Sequence, residues 1–279
     1  MITIQTYFKN KMMFENDRIN SSSKNPESMS EEDMKSEYSS YGKYSIDDFL
    51  ELSFPNVTVR IKKIGENIFS YDKIDSEENM VEKIIPTSSS ILTIEVAPIR
   101  PLNHPARRTN YLYLDLESPI FLSSGSSAIV FINCPIEIGI FLIHDGVPES
   151  LDWFTCNSLD SRFCLYGPPE SGTLCKYAHS DIVESHDSSI PYVNGVMEIN
   201  LKNDLSKGYT ISNLVFPISG HSLYYDNSKT IFDSLTAVLK KKLTLEILDA
   251  KSLTVQTDWK QSPTYERAEQ TKSIDMGVE

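Results

Sequence analysis

Three side chains that could bind a divalent metal ion lie close together in this sequence: His179, Asp181 and His186. Imidazole nitrogens and carboxylate oxygens are ligands that zinc, iron and manganese accept in proteins. His179 and Asp181 would share one face of a strand, because strand side chains alternate with a period of two. His186 lies an odd number of positions from His179 and would face the other side. We therefore predict no tightly bound metal and no cofactor.

Glu137 is a carboxylate inside an otherwise apolar run, Pro135–Gly139. Two interpretations are open. Either the strand exposes one face and Glu137 is solvated, or Glu137 is buried and forms an ion pair with Arg162 or Lys176. A buried carboxylate needs such a partner, because transferring an unpaired charge from water into the protein interior is costly. Glu137 and Lys176 are therefore candidate ligand or interface residues.

Aromatic residues and a glycine supply the remaining candidates. Trp153, Tyr166 and Tyr177 could stack on a ligand or anchor an interface, and the alternative is that Trp153 and Phe154 cap the core. Gly167 opens a Gly-Pro-Pro loop, and we predict that it serves the backbone conformation of that loop. The 279 residues contain no Gly-x-Ser-x-Gly or Cys-x-x-Cys motif, and no Gly-Lys-Ser/Thr phosphate loop. We therefore predict no catalytic residues and lean against an enzyme.

The charge balance narrows the class of partner. Lysine and arginine number 26 against 39 aspartates and glutamates, which gives a net charge of −13. A chain this acidic repels phosphate backbones, so we expect no nucleic-acid partner. No apolar run is long enough for a membrane helix, and the first residues lack a secretory core, so we expect no membrane insertion and a cytoplasmic location. The four cysteines are then expected to be reduced.

Alternating apolar and polar residues predict the strands that must position these side chains. The pattern is clear in Val57–Ile61 and Tyr111–Leu116, while Ile136–Ile143 is a nearly continuous apolar run. Short strands separated by turn residues predict an all-β fold: a large antiparallel β-sandwich of two sheets, or a jelly-roll-like barrel. Ser124–Ser127 is predicted to be a hairpin loop. Asp226–Lys242 fits a helix or a strand, and its neighbours favour a strand.

The composition divides the chain into three parts. Residues 1–40 form a flexible N-terminal extension, because their polar, glutamate-rich second half buries too little apolar surface to fold. Whether residues 1–14 add a strand stays open. Residues 41–258 form the all-β domain, and residues 259–279 form a polar C-terminal tail.

Several short motifs resemble an archaeal family known as domain of unknown function 432. They are Tyr41-Gly-Lys-Tyr44, Ala97-Pro-Ile-Arg-Pro-Leu-Asn103, Pro135-Ile-Glu-Ile-Gly139, Leu165-Tyr-Gly167 and Gly172-Thr-Leu-Cys-Lys-Tyr177. The resemblance covers roughly residues 41–255 and implies no known activity. The family tends to have arginine where this chain has Lys176, so no role that needs a planar guanidinium is expected there. Some members are joined to mechanosensitive-channel modules, which implies an accessory or sensory role.

Together these observations predict a non-catalytic β-sandwich module that binds or interacts, acting as an accessory or regulatory protein. Its partner would be another protein, membrane proteins included, or a second copy of the chain. The alternatives are a cupin-like metal-dependent enzyme that uses the His179–Asp187 cluster, and a small-molecule or carbohydrate-binding protein that uses the exposed aromatic residues.

Overall fold

A computed structural model describes residues 38–104, 108–157, 162–241, 244–251 and 259–266, with no account of side chains in 241–251. The predicted extension, apart from residues 38–40, and most of the predicted tail lie outside these ranges. Within them the chain is almost entirely strand, with one short 3-10 turn at His186–Ser188. The strands are β1 Gly42–Ile46, β2 Phe49–Phe54, β3 Val57–Gly65, β4 Ile68–Asp75, β5 Met80–Pro86, β6 Leu92–Ile99, β7 Tyr111–Leu122, β8 Ser127–Pro135, β9 Glu137–His144, β10 Val147–Phe154, β11 Arg162–Tyr166, β12 Thr173–Ser180, β13 Ile182–Val183, β14 Asn194–Asn203, β15 Tyr209–Pro217, β16 Leu223–Asp226, β17 Lys229–Phe232, β18 Ser234–Lys241, β19 Thr244–Lys251 and β20 Lys260–Gln261.

The strands form four sheets, so the all-β sandwich is confirmed but the expected two sheets are four. Sheet I has the order β2-β3-β4-β5, and sheet II the order β1-β6-β9-β10. Sheet III has the order β11-β12-β7-β15, and sheet IV the order β13-β8-β14-β17-β16-β20, with β18 and β19 branching from β14. Sheets I and II are antiparallel throughout, whereas β12 pairs with β7, and β14 with β17 and β18, in parallel. The described strands close no barrel.

Two segments can be compared with the sequence prediction. One prediction is wrong, and one ambiguity is resolved. The predicted hairpin loop at Ser124–Ser127 is wrong, because β7 and β8, on either side of it, belong to different sheets. The ambiguous stretch Asp226–Lys242 contains the end of β16, all of β17 and β18, and no described helix. The strand that the neighbouring segments favoured is therefore correct for this region.

The buried apolar residues form two separate clusters, one for each pair of sheets. Sheets I and II pack face to face, with side chains such as Ile61 and Phe69 of sheet I against Ile94 and Ile140 of sheet II. The alternation predicted for Val57–Ile61 of β3 is confirmed, since Val57, Val59 and Ile61 are buried in this cluster while Arg60 and Lys62 are exposed. We call this cluster the first core.

The second core lies between sheets III and IV. Leu112, Leu114 and Leu116 of β7 point into it from sheet III, which confirms the alternation predicted for that strand. Ile199 and Leu201 of β14 are completely buried opposite them. Each pair of sheets therefore has the apolar interior that a sandwich needs.

The outer face of sheet II is covered by elements from further along the chain. Tyr225 of β16 is buried there, and its hydroxyl donates to the Glu95 carboxylate at 2.8 Å. Residues 259–266 form a segment that we call the C-terminal strap. It pairs with β16 through β20 and then crosses sheet II. The Tyr265 ring meets Phe141 edge-on at 6.1 Å, and the backbone N–H of Glu266 donates to Ser150 Oγ. The central strands of sheet II, β6 and β9, are therefore largely buried on both faces.

Gly139 marks a close approach inside β9. A Cβ atom at this position would lie 2.7 Å from the Phe141 ring and 2.8 Å from Ile99 Cγ2. Those distances are too short for any side chain without displacement of its neighbours, so the absence of a side chain here is a packing requirement.

A buried carboxylate joins sheets I and II inside the first core. Asp152 of β10 is 7% exposed and lies 2.8 Å from Lys73 Nζ and 3.4 Å from Lys83 Nζ. The Tyr71 hydroxyl donates to it at 2.9 Å. Burial alone would raise the pKa of Asp152, but the two lysines outweigh that effect and hold the pKa below its usual value.

We predict that Asp152→Asn makes the free energy of unfolding less dependent on pH in the acid range. Because the folded pKa is lowered, ionised Asp152 stabilises the fold above about pH 4, where an unfolded aspartate is charged, and this contribution is lost as the pH falls through the folded pKa. The free energy of unfolding should therefore fall more steeply between about pH 6 and pH 3 in the native chain than in the variant.

Chemical denaturation at several pH values measures this difference. Glu51→Gln is the matched control, because Glu51 also pairs with a cation, Arg60, but at a surface where both side chains are more than two-fifths exposed. Its pH profile should follow the native one closely. Parallel profiles for Asp152→Asn and the native chain would contradict the role assigned to Asp152.

Candidate functional site

Glu137 lies at the start of β9 and is 1% exposed. Its carboxylate accepts three N–H groups from the loop that follows β6. The backbone N–H of Asn103 lies 3.0 Å from both oxygens, the Asn103 side-chain amide lies 2.8 Å from Oε2, and the backbone N–H of His104 lies 2.9 Å from Oε1. Of the two interpretations that the sequence left open, the buried one is therefore correct.

Lys176 of β12 supplies the opposite charge. Its Nζ lies 3.3 Å from Glu137 Oε1 and also donates to the carbonyl oxygen of His104. Burial lowers the pKa of Lys176, and the neighbouring Glu137 carboxylate opposes this shift without cancelling it. The other candidate partner, Arg162, lies elsewhere, with its guanidinium carbon 4.2 Å from the centre of the Tyr177 ring.

This polar cluster connects the two pairs of sheets. Glu137 belongs to sheet II and Lys176 to sheet III, and the loop residues between them belong to the connection from β6 to β7. A buried carboxylate with three N–H donors and one ammonium group has its main hydrogen-bonding capacity satisfied. We therefore assign Glu137 and Lys176 a positioning role at this junction.

A cavity of about 300 Å³ lies beside Lys176. We call it the lysine cavity; it is lined by Pro101, Asn133, Pro135, Ile136, Thr155, Asn157, Lys176, Tyr177, Ala178, His179, Val193 and Asn194. The side-chain oxygen of Asn133 is buried there without a hydrogen-bond partner. Buried polar atoms are normally hydrogen-bonded, so this oxygen is an exception in the wall of the cavity. Three predicted residues, Lys176, Tyr177 and His179, meet at this cavity.

Tyr166 and Tyr177 lie on the outer face of sheet III, together with Tyr113. The rings of Tyr113 and Tyr177 are stacked, with centroids 5.7 Å apart, and Tyr166 lies 6.3 Å from Tyr113. Arg162 covers Tyr177. Because these rings already contact one another and a guanidinium, they form a self-packed surface cluster, and their use as a stacking platform stays a prediction.

The three predicted metal ligands do not converge. His179 Nδ1 lies 3.4 Å from Asp115, which also accepts from the Tyr177 hydroxyl at 2.7 Å. The side chain of Asp181 lies beside Glu117 and raises the pKa of that carboxyl group. His186 lies in the 3-10 turn, 3.7 Å from Glu198 and edge-on to the Phe131 ring at 4.7 Å. Among the described residues, no three histidine, cysteine or acidic side chains are grouped for a metal.

Trp153 and Gly167 have structural surroundings. Phe154 belongs to the first core and Trp153 packs against it, with its ring 6.3 Å from His104, which fits the alternative that these two residues cap the core. Gly167 has a φ of +106°, a conformation that side chains other than glycine rarely adopt. Its position in the loop is thus explained by backbone geometry, as predicted.

Two features were missed at the level of sequence. One is an exposed group of large apolar side chains on the outer face of sheet I, and the other is a polar cavity beneath the C-terminal strap. Phe49 and Ile84 look like ordinary strand residues in the sequence, because alternation does not reveal which face of a sheet meets solvent. His221 and Asp233 stand alone in the sequence and follow no motif.

The fold and these sites define a class: a two-core all-β protein whose sheets are joined by buried ion pairs. The pattern of a family described as "protein of unknown function (DUF432)" matches residues 40–275. Since the match spans most of the 279 residues, the chain belongs to that family. No curated protein matches the chain, and no solved structure does. In the described part of the chain, no helix has the length and apolar character needed to cross a bilayer.

We predict that Glu137→Gln costs more stability than Lys176→Met. The first change leaves the buried ammonium without its counter-charge and weakens three N–H contacts, at a cost of roughly 3–5 kcal/mol. After the second change, the Glu137 carboxylate still accepts from Asn103 and His104. The unfolding free energy of Lys176→Met should therefore exceed that of Glu137→Gln by at least about 1 kcal/mol.

Urea denaturation at neutral pH, followed by circular dichroism, tests this order. The control is Lys43→Met, because Lys43 also pairs with a buried glutamate, at 3.7 Å from Glu95, but is itself 59% exposed. It should cost less than about 1 kcal/mol. A larger loss for Lys176→Met than for Glu137→Gln would mean that the ion pair, and not the set of N–H donors, holds this junction.

Proposed function

We propose that the protein is a non-catalytic accessory or regulatory module that binds another protein through the outer face of sheet I. The observation that carries this proposal is a group of four large apolar side chains exposed on that sheet. Phe49 is 54% exposed, Ile64 54%, Ile68 41% and Ile84 62%. We call these four residues the apolar patch.

Strand register places Phe49 and Ile84 at opposite ends of one row of sheet I, with Ile64 and Ile68 beside that row on the two strands between them. Phe49, Lys62, Ser70 and Ile84 lie opposite one another in a row across β2, β3, β4 and β5. Ile68 follows in the next row, opposite Gly65 and Pro86, and Ile64 precedes Gly65. Scattered single apolar residues are common on protein surfaces, whereas a contiguous apolar patch is typical of an interaction site.

The charges around the patch indicate what kind of surface fits it. The next row of sheet I places Glu51, Arg60, Asp72 and Glu82 opposite one another, with three carboxylates for one guanidinium. The whole chain has a net charge of −13, so a second copy would be repelled. A different protein, with an apolar centre and a basic rim, complements the patch best.

Other features support a binding role over the two alternatives. The most deeply buried of the described charge pairs, Glu137 with Lys176, is engaged in holding backbone groups in place. Of the candidate metal ligands of a cupin-like enzyme, His179 and Asp181 both lie near Glu117, whereas His186 lies beside Glu198. The lysine cavity favours a small-molecule ligand as a second function, because the candidate residues Lys176, Tyr177 and His179 line it together.

We also propose a cytoplasmic location. All four cysteines, Cys134, Cys156, Cys164 and Cys175, are free thiols. Proteins of oxidising compartments usually pair their cysteines, so free thiols support a reducing compartment.

We predict that Ile84→Glu abolishes partner binding while Ile129→Glu does not. Both isoleucines lie in strands and both are 62% exposed, but Ile129 belongs to β8 of sheet IV. A buried glutamate in the contact would be desolvated opposite an apolar surface, so the partner's affinity should fall at least about tenfold. The two variants should keep the native unfolding midpoint, because neither side chain is in a core.

Affinity purification of the tagged full chain from the cells that produce it, quantified by mass spectrometry, gives the readout. A partner retained by the native chain and Ile129→Glu but lost from Ile84→Glu supports the proposal. Light scattering on the same samples separates a second outcome, in which the native chain forms a dimer that Ile84→Glu dissociates, and the partner would then be the chain itself. Equal recovery of all partners by both variants, with monomers throughout, would refute the proposed surface.

A further inference from the structure

Two of the four cysteines face each other across neighbouring strands of sheet III. Cys164 of β11 and Cys175 of β12 are paired residues in an antiparallel register, so their side chains lie on the same face of the sheet. The α-carbons of such a pair are about 4.5 or 5.5 Å apart, depending on whether the pair is hydrogen-bonded. Disulfides in proteins span α-carbon distances of about 4.4–6.8 Å. The register therefore holds two free thiols at a separation that a disulfide bond can bridge.

The other two cysteines have a different setting. Cys134 is completely buried in the second core, and Cys156 is 8% exposed in the first core. Burial raises the pKa of both of these thiols. A buried cysteine packs like a small apolar side chain, which explains these two positions. Cys164 and Cys175 belong to neither core, so packing of the interior does not explain why they face each other.

An oxidant reaches the pair through Cys164. This residue is partly exposed, whereas Cys175 is completely buried. The rings of Tyr166 in β11 and Tyr113 in β7 approach to 6.3 Å although β12 lies between their strands, and the register places Cys175 beneath this contact. Cys164 is therefore the sulfur that an oxidant meets first, and Cys175 lies directly behind it.

The surroundings of the two thiols set how fast they react. Burial raises the pKa of Cys175 to about 11, and the neighbouring Cys164 adds to this shift. Burial also raises the pKa of Cys164, and the Arg162 guanidinium opposes the rise. Because the thiolate is the reacting form, both thiols are mostly protonated and react slowly at neutral pH. The pair is therefore suited to sustained oxidation and not to a brief pulse of oxidant.

We propose that Cys164 and Cys175 form a redox modification site, at which a peroxide converts the two thiols into a reversible disulfide between β11 and β12. The Cys164 thiolate attacks the O–O bond of the peroxide, which gives a sulfenic acid and releases an alcohol, or water from hydrogen peroxide. The Cys175 sulfur then attacks the sulfenic sulfur, forms the S–S bond, loses its proton and displaces water. A dithiol reductant returns two electrons and two protons, and restores both thiols.

The position of the pair gives this bond an effect on the fold. Among the described strands, β11 is the outermost of sheet III and pairs with β12 alone. A disulfide in the middle of β11 ties this edge strand to its neighbour. The β-carbons of paired residues are about 4.5–5.5 Å apart, against about 3.5–4.5 Å in a relaxed disulfide, so the bond stores strain and is readily reduced. This inference does not depend on the apolar patch, which lies on sheet I.

Mass spectrometry of the full chain after treatment with hydrogen peroxide tests the proposal. Trypsin cleaves after lysine and arginine, so the facing pair falls in the peptide 163–176 and the two core cysteines fall in the peptide 109–162. We expect the first peptide to lose two hydrogen atoms and to resist alkylation. The second peptide should keep two thiols that are alkylated once the chain is unfolded. Dithiothreitol should restore the thiols of the first peptide.

Three variants define the contribution of each sulfur. Cys164→Ser and Cys175→Ser should each abolish the loss of hydrogen. The matched control combines Cys164→Ser with Leu165→Cys, which moves the thiol by one residue within the same peptide. Leu165 is 48% exposed and lies opposite Leu174, so the moved thiol faces the other side of the sheet. This double variant should therefore form no disulfide with Cys175.

Four results would overturn the proposal. The peptide 163–176 keeps both thiols at peroxide concentrations that oxidise the core cysteines. Cys164 is oxidised to a sulfinic acid while Cys175 keeps its thiol. The disulfide joins two chains, which electrophoresis without reductant detects. The double variant forms its disulfide as fast as the native chain. The first three of these measurements use the native chain, so they do not depend on the stability of any variant.

Discussion

The interaction on which the arrangement of the sheets depends is the burial of the Glu137 carboxylate at the start of β9. A charge with 1% exposure is tolerable only when its oxygens are bonded, and here the bonds come from Asn103, His104 and Lys176. These donors belong to different segments, so satisfying one carboxylate fixes the path of the chain between sheets II and III. The requirement that the charge be solvated by protein atoms thus becomes a constraint on the whole fold.

Sheet II contains two further carboxylates that act in the same way. Asp152 binds two lysines of sheet I, and Glu95 accepts from Tyr225 of sheet IV. Each of the three neighbouring strands β6, β9 and β10 therefore carries one buried acid that connects it to a different part of the molecule. Apolar packing is tolerant of small shifts, whereas ion pairs and hydrogen bonds specify both distance and direction. The acids thereby set the relative positions of elements that apolar contacts alone would leave variable.

The sequence predicted the type of each secondary-structure element better than it predicted which elements lie beside one another. Alternation in Val57–Ile61 identified β3 and its buried face, because that signal is local and has a period of two. The predicted sandwich of two sheets was too simple, because no local feature of the sequence indicates which strands pair. Glu137 was ambiguous for the same reason: its partner Lys176 is 39 residues away, and Arg162 was an equally plausible cation until the fold placed it over Tyr177.

The candidate surfaces illustrate the same limit. Ile84 and Ile129 are indistinguishable in type and in exposure, yet the register of sheet I places Ile68 diagonally beside Ile84, whereas Ile129 lies opposite Asn200 in sheet IV. His221 follows a Ser-Gly turn signal and gives no sign that it would be buried beside Arg100, which lies more than one hundred positions earlier in the chain. Sites built from distant segments become visible only when the segments are assembled.

The coverage of sheet II by Tyr225 has a consequence for how the chain matures during synthesis. Glu95 and its hydrogen-bond donor are separated by 130 residues. At about 5–20 residues per second, a ribosome needs on the order of ten seconds to deliver the tyrosine after the glutamate has emerged. Sheets I and II can pair during that interval, but one face of sheet II stays exposed to solvent until β16 has been synthesised. The nascent chain is therefore most vulnerable to aggregation, and most dependent on chaperones, in its middle third.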